Sequence, residues 1–194
     1  MYLARTTAPA VTPVSLSEAK AHLRVLTTDE DTLITSLISA ATEYLDGRHG
    51  ILGRALITQA WEYRFDRFPL SQCFQIPLPP LQSVEAVKYI DDNGVEQTLA
   101  TDQYVVETAE FVGRIRAAYD VTWPTTRVEE NAVRVEFTAG FGSAGSDVPE
   151  GLRQAILLLI GHFYLNREAV SEKSMMPVPM AVDSLIGPYR FEVM

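Results

Sequence analysis

The sequence predicts an α+β fold, with a helical domain built from both chain ends and a small antiparallel β domain inserted between them. Three observations carry this expectation. Apolar residues recur at helical spacing before Gly50 and again after Pro149. They alternate with a period of two between Leu56 and Ala139, and both changes of period are abrupt. The helical domain is therefore placed at residues 1–53 plus 147–194, and the β insert at 54–146.

Ser15-Leu16-Ser17-Glu18 has capping-box spacing, with Ser15 able to accept from the third helical amide and Glu18 able to reach back, so a short helix starts there and runs through Leu23. A second start lies at Thr28, where Asp29, Glu30 and Asp31 suit the positive end of a helix better than they suit a metal. Leu33, Ile34, Leu37, Ile38, Ala41, Tyr44 and Leu45 then keep helical spacing up to Gly50, a left-handed terminator. In the next segment Trp61, Tyr63 and Phe65 alternate with Glu62, Arg64 and Asp66, as in a strand with one buried face. The prolines between Ile76 and Leu81 end that run in an extended connection. Further strands are expected at 83–90, 95–99, 104–107, 112–117 and 132–139, with Asp91-Asp92-Asn93-Gly94 as a hairpin turn. Asp147, Pro149 and Glu150 restart helix, with Asp147 as its cap. The helix after Pro149 is apolar on most of its circumference: Leu152, Ile156, Leu159, Ile160 and Phe163 share one face, beside Ala155, Leu158, His162 and Leu165. Such a helix must be buried on most sides.

Composition narrows the function. With 194 residues, 47% of them hydrophobic and 21% charged, the chain can bury a core without metals or disulfides. Its one cysteine, Cys73, reads as a half-buried hydrophobe. The first residues lack the apolar stretch of a signal peptide, and no apolar run approaches the ~20 residues of a membrane span, so neither export nor a membrane partner is expected. A net charge of −9 argues against holding nucleic acid through phosphate contacts, which need a basic face.

Candidate chemistry is thin. Gly140-Phe141-Gly142-Ser143-Ala144-Gly145 matches a dinucleotide-binding string. Asp147 and Pro149 delay the following helix, however, and no second parallel strand follows, so the glycines read as a joint between insert and helix. His22, His49 and His162 lie in different elements without ligand-like neighbours. No nucleophile elbow or marked carboxylate pair occurs. The expectation is a protein without catalytic residues, metal or cofactor.

The C-terminal tail is the candidate site. Met175, Met176 and Met180 are adaptable apolar contacts, Val182, Leu185 and Ile186 have the spacing of a short docking helix ended by Gly187-Pro188, and Tyr189, Phe191 and Val193 alternate as an added strand would. A tail this apolar calls for cover, and a partner subunit is the expected one. On that reading, removing residues 174–194 would leave a folded protein.

Residues 148–170, VPEGLRQAILLLIGHFYLNREAV, preceded by AVRVEFTAGFG and followed by VDSLIGPYRF, resemble the head-tail connector or adaptor proteins of long-tailed double-stranded-DNA phages, prophages and gene transfer agents. VSLSEAKAHLRV near the start, GRALITQAWEYRFDRFP, IPLPPLQSVEAVKYIDDNG and Trp123-Pro124 extend the likeness from about Pro13 to Arg190. The resemblance implies a structural virion subunit, assembled in the host cytoplasm into a ring, usually of twelve copies, beneath the portal protein. Its partners would be the portal, a neighbouring copy and the next connector or tail protein. DNA would pass through the channel without specific binding, past acidic side chains drawn from Asp29, Glu30, Asp31, Glu129 and Glu130. A tail-completion protein and a small nucleotide-binding enzyme are the alternatives.

Overall fold

The structure is a computed structural model that describes residues 1–109, 112–167 and 180–191. It is an α+β fold in two compact units. Met1–Pro9 and Thr58–Gly140 form one, Ala10–Ile57 and Phe141–Met194 the other. Residues 1–9, expected with the helices, instead supply a strand to the β unit, while residues 54–57 and 141–146 stay with the helices.

The helical unit contains α1 (Leu16–Leu23), α2 (Asp31–Leu45), α3 (Glu150–Leu165) and α4 (Met180–Ile186). The capping box forms as expected: the Glu18 amide donates to Ser15 Oγ at 3.2 Å and the Ser15 amide to Glu18 Oε2 at 2.8 Å. Glu30 and Asp31 stand at the start of α2. The helix stops at Leu45, and the left-handed turn falls at Gly47, not at Gly50. Gly50 is needed for a different reason, since a side chain there would run into the Leu45 backbone. Asp147 does not cap α3. It sits in a 3-10 turn, Gly145–Asp147, and its carboxylate accepts from the Ala144 amide at 2.9 Å, because the turn closes before Pro149 opens the helix.

The core of this unit gathers Ile34, Ile38, Ala41 and Leu45 of α2 around Leu152, Ala155, Ile156, Leu159 and Ile160 of α3. Arg153 braces its edge. It donates to the Pro13 carbonyl at 3.3 Å and pairs with Glu150 at 2.6 Å and with Glu18. The Ser15 hydroxyl, then the Ser15 amide and Arg153, hold the Glu18 carboxyl below its ordinary value.

The β unit contains β1 (Tyr2–Thr7), β2 (Gln59–Phe65), β3 (Cys73–Gln75), β4 (Leu81–Ile90), β5 (Glu96–Thr98), β6 (Tyr104–Glu107), β7 (Arg114–Ala117) and β8 (Val133–Ala139). All its strand pairs are antiparallel. A five-stranded sheet runs β1-β2-β8-β4-β5 and a three-stranded one β3-β7-β6. The hairpin at Asp91–Gly94 is as expected. Gly94 takes a φ of 80°, and the Asn93 and Val95 amides donate to Asp91 Oδ1 at 2.9 and 3.0 Å. On the buried face Trp61 and Phe65 of β2 meet Phe137 and Val133 of β8, directly opposite. On the other face the register places Glu62 opposite Glu136 and Arg64 opposite Arg134. These like charges are relieved by neighbours: Arg64 pairs with Glu62 at 2.5 Å, Lys88 with Glu136 at 2.6 Å and Arg134 with Glu96 at 2.6 Å.

Two outcomes follow from these contacts. Phe137, 1% exposed on the central strand, is expected to cost about 3–5 kcal/mol on replacement by Ala, read as a lower denaturation midpoint. The Glu18 carboxyl has a folded pKa below its unfolded one, so its stabilising contribution is complete above the unfolded value of about 4.3 and is lost as pH falls through the folded value. Glu18→Gln should therefore lower the melting temperature at pH 7 and converge with the parent in acid. Parallel pH curves for the two proteins would refute this.

Candidate functional site

The tail residues that the sequence singles out split into three groups. Met175 and Met176 lie outside the described residues. Val182 and Ile186, four apart on α4, point the same way and are 0% exposed within the helical unit's own core, with Leu185 and Tyr189 packed against it. Met180, at the first turn of α4, is 84% exposed. The short helix is thus where its spacing predicts, but its apolar face closes the core of its own subunit. Tyr189 closes a 3-10 turn, Gly187–Tyr189, so the expected strand does not begin at it, and Val193 lies outside the described residues.

The seat of this segment comes from residues 52–54. The Phe191 amide donates to the Leu52 carbonyl at 2.8 Å. Gly53, at a φ of 61°, lies so close to the Phe191 carbonyl that a side chain would collide with it. Arg54, 4% exposed, donates from Nε to the Tyr189 carbonyl at 2.5 Å, and burial pushes its guanidinium below its ordinary value. On α3, the Tyr189 ring and the Leu185 carbonyl lie 3.7 and 3.8 Å from where a side chain at Gly151 would begin, an ordinary contact distance. Sequence reasoning passed over this seat. The available signal was one arginine, Arg54, directly before the apolar run Ala55-Leu56-Ile57, with Gly53 on its other side.

The other end of α3 carries a second cluster. Tyr164 donates its hydroxyl to Glu30, Arg167 pairs with Glu30 at 2.8 Å, and the Arg167 guanidinium lies 4.3 Å from the Tyr164 ring centre. The Tyr164 hydroxyl first, and Arg167 with it, hold the Glu30 carboxyl below its ordinary value. Asp31 is likewise engaged, 2.5 Å from Lys20 Nζ. Of the five acidic residues expected near a channel, Asp29, Glu129 and Glu130 are exposed, whereas Glu30 and Asp31 serve the fold.

The β unit contributes a surface feature that sequence reasoning missed. Trp123 stacks on Phe68 with 5.0 Å between ring centres and a 4° tilt, Phe74 meets Phe65 edge-on at 5.3 Å, and Phe68 meets Tyr89 at 6.0 Å. Beside this stack opens a groove of about 490 Å³, walled by Tyr63, Phe65, Phe68 and Phe74, with Leu70 and Arg67 at its rim. Among the described residues no group of three or more His, Cys, Asp or Glu side chains is arranged to hold a metal ion, and no helix is long and apolar enough to cross a membrane.

Comparison with known proteins places this architecture. The chain is similar to the solved neck of an empty gene transfer agent particle, computed with C6 symmetry, with 28% identity and a TM-score of 0.81 over 100% of this chain and 98% of that one. It is similar to a chain of the native gene transfer agent virion at 27% identity and a TM-score of 0.81, again over 100% and 98%. A native neck computed with C12 symmetry gives 25%, 0.73 and the same coverage. No curated protein matches the chain. The family model of the phage gp6-like head-tail connector proteins matches residues 13–109, half of the chain. The helices around α3, the inserted antiparallel sheets and that match together make this chain a structural head-tail connector, a member of the phage gp6-like head-tail connector protein family.

Proposed function

We propose that the protein is a subunit of a ring, usually of twelve copies, that sits beneath the portal of a gene-transfer-agent or phage-like particle and joins the head to the next connector or tail component. The observation that carries this reading is the likeness over the whole chain to neck subunits of gene transfer agent particles, whose structures were computed with C6 and C12 symmetry. On this reading the protein works as part of the virion, after assembly in the host cell. It catalyses nothing and uses no cofactor.

The tail is the surface through which the subunit meets the portal or its neighbour. Val182 and Ile186 contribute indirectly, by fixing α4 to the core, and Leu185, Tyr189 and Phe191 shape the surface around it. Met180, with Met175 and Met176 before it, supplies the apolar contact itself. Of those five acidic side chains Asp29, Glu129 and Glu130 are the exposed ones, Glu129 with Arg127 3.5 Å away, and they are the candidates to face the channel, where like charge keeps DNA sliding and prevents trapping by counterion release.

Reconstitution with the cognate portal, viewed by electron microscopy, tests the reading. A closed ring seated on the portal is expected; association with tail tube and not with portal would replace it with a tail-completion role. Met180→Asp should leave the melting temperature unchanged and weaken portal-dependent ring formation at least tenfold. Truncation before Met180 should instead destabilise the helical unit, because it strips Val182 and Ile186 from the core at about 1.5–3 kcal/mol each. A truncated chain that melts like the parent would refute that contact.

A further inference from the structure

The aromatic groove of the β unit is an apolar feature that the connector role leaves without a task. Its walls are rigid. Phe65, Phe68 and Phe74 are locked in edge-on and stacked contacts with one another and with Trp123, so the opening does not depend on one adaptable side chain. Its volume of about 490 Å³ lies within the ~300–1,000 Å³ usual for binding pockets. Leu70, at its rim, is 105% exposed among the described residues. The charged side chains in its lining are one of each sign, Asp66 and Arg67, beside Met1 and the Tyr63 hydroxyl that donates to the Met1 sulfur. An occupant should therefore be mainly apolar, suited to aromatic faces, and flanked by one acidic and one basic residue.

The chain contains such a segment. Met175-Met176-Pro177-Val178-Pro179-Met180 has no charged residue, and Glu172-Lys173 stand just before it. Thioether sulfurs make favourable contacts with aromatic rings, and proline-spaced segments are the ligands that aromatic-lined grooves take in extended form. We infer that the groove of one subunit receives residues 175–180 of a second copy of this chain, with Glu172 and Lys173 meeting Arg67 and Asp66. Groove and segment are different patches of one chain, so the contact is head-to-tail, the type that closes into a ring when the rotation permits. This inference rests on the ring reading above and names the surface through which neighbours engage.

A labelled peptide of residues 171–180, titrated into full-length Met175→Ser/Met176→Ser protein, tests the groove without competition from the chain's own segment. Saturable binding that Leu70→Asp weakens at least tenfold, with an unchanged melting curve, is expected, as is loss of binding when Met175 and Met176 of the peptide become serine. No saturable binding, or binding indifferent to Leu70→Asp, overturns the inference. The occupant is tested on the portal-bound ring with Leu70→Cys and Met176→Cys chains mixed, both carrying Cys73→Ser. A covalent dimer on oxidation supports a second copy. A ring that forms normally and yields no covalent dimer overturns that occupant while leaving the connector reading intact, whereas failure of the unmodified protein to form any ring removes the connector reading itself.

Discussion

The helical unit is organised by the need to cover α3. A helix carrying Leu152, Ala155, Ile156, Leu159 and Ile160 at complete burial cannot rest on one neighbour, so cover comes from both directions along the chain: α1 and α2 from before the β unit, α4 from after α3. α1 lies against α3 there, with His22 Nε2 3.5 Å from where a side chain at Gly161 would begin, an ordinary contact distance. The last segment is held through polar main-chain contacts as much as through apolar ones. Arg54 in particular is buried in a place that a cation occupies only with a fixed acceptor, and the Tyr189 carbonyl is one such acceptor. Removing the turn that carries this carbonyl would expose apolar surface and also take a partner from a buried charge.

The β unit solves a different problem. Its five-stranded sheet buries one face and leaves the other charged, and the register fixed by Trp61, Phe65, Phe137 and Val133 on the buried side forces like charges to face each other outside. Burial decides the register, because apolar area is worth more than exposed ion pairs of roughly 0–1 kcal/mol. The charges then find relief along the strand and from the outer strands, through Lys88 on β4 and Glu96 on β5.

The sequence disclosed much of what rests on local chemistry, although the terminator at Gly50 and the Asp147 cap did not form. The capping box at Ser15 and Glu18, the Asn93-Gly94 turn and the alternation through Trp61 and Val135 all express preferences within a few residues, and the structure reproduces them. It hid what depends on distant partners. β1 carries little alternation of its own and is a strand because β2 offers an edge some sixty residues away, as in the pairing of Tyr2 with Arg64. The spacing of Val182 and Ile186 announced a helix, but nothing in that spacing says whether its apolar face meets a partner or the same chain. The seat at Leu52–Arg54 decides it. The aromatic groove escaped notice for the same reason, since Phe65, Phe74 and Trp123 converge only after folding.

The helical unit is discontinuous, and that has a consequence in time. During synthesis Ala10–Ile57 emerges first, and its cover begins only at Phe141, after the 83 residues from Thr58 to Gly140. At about 5–20 residues per second this is a delay of roughly 4–17 s. Throughout it Ile34, Ile38, Ala41 and Leu45 have no α3 to rest against, and completion waits further for α4. The β unit needs only Met1–Pro9 from the earlier part of the chain and can close as that interval ends, once its central strand β8 has emerged. The nascent helices are therefore the stage of this protein's life most exposed to aggregation, and the stage at which a cellular chaperone has the most to protect.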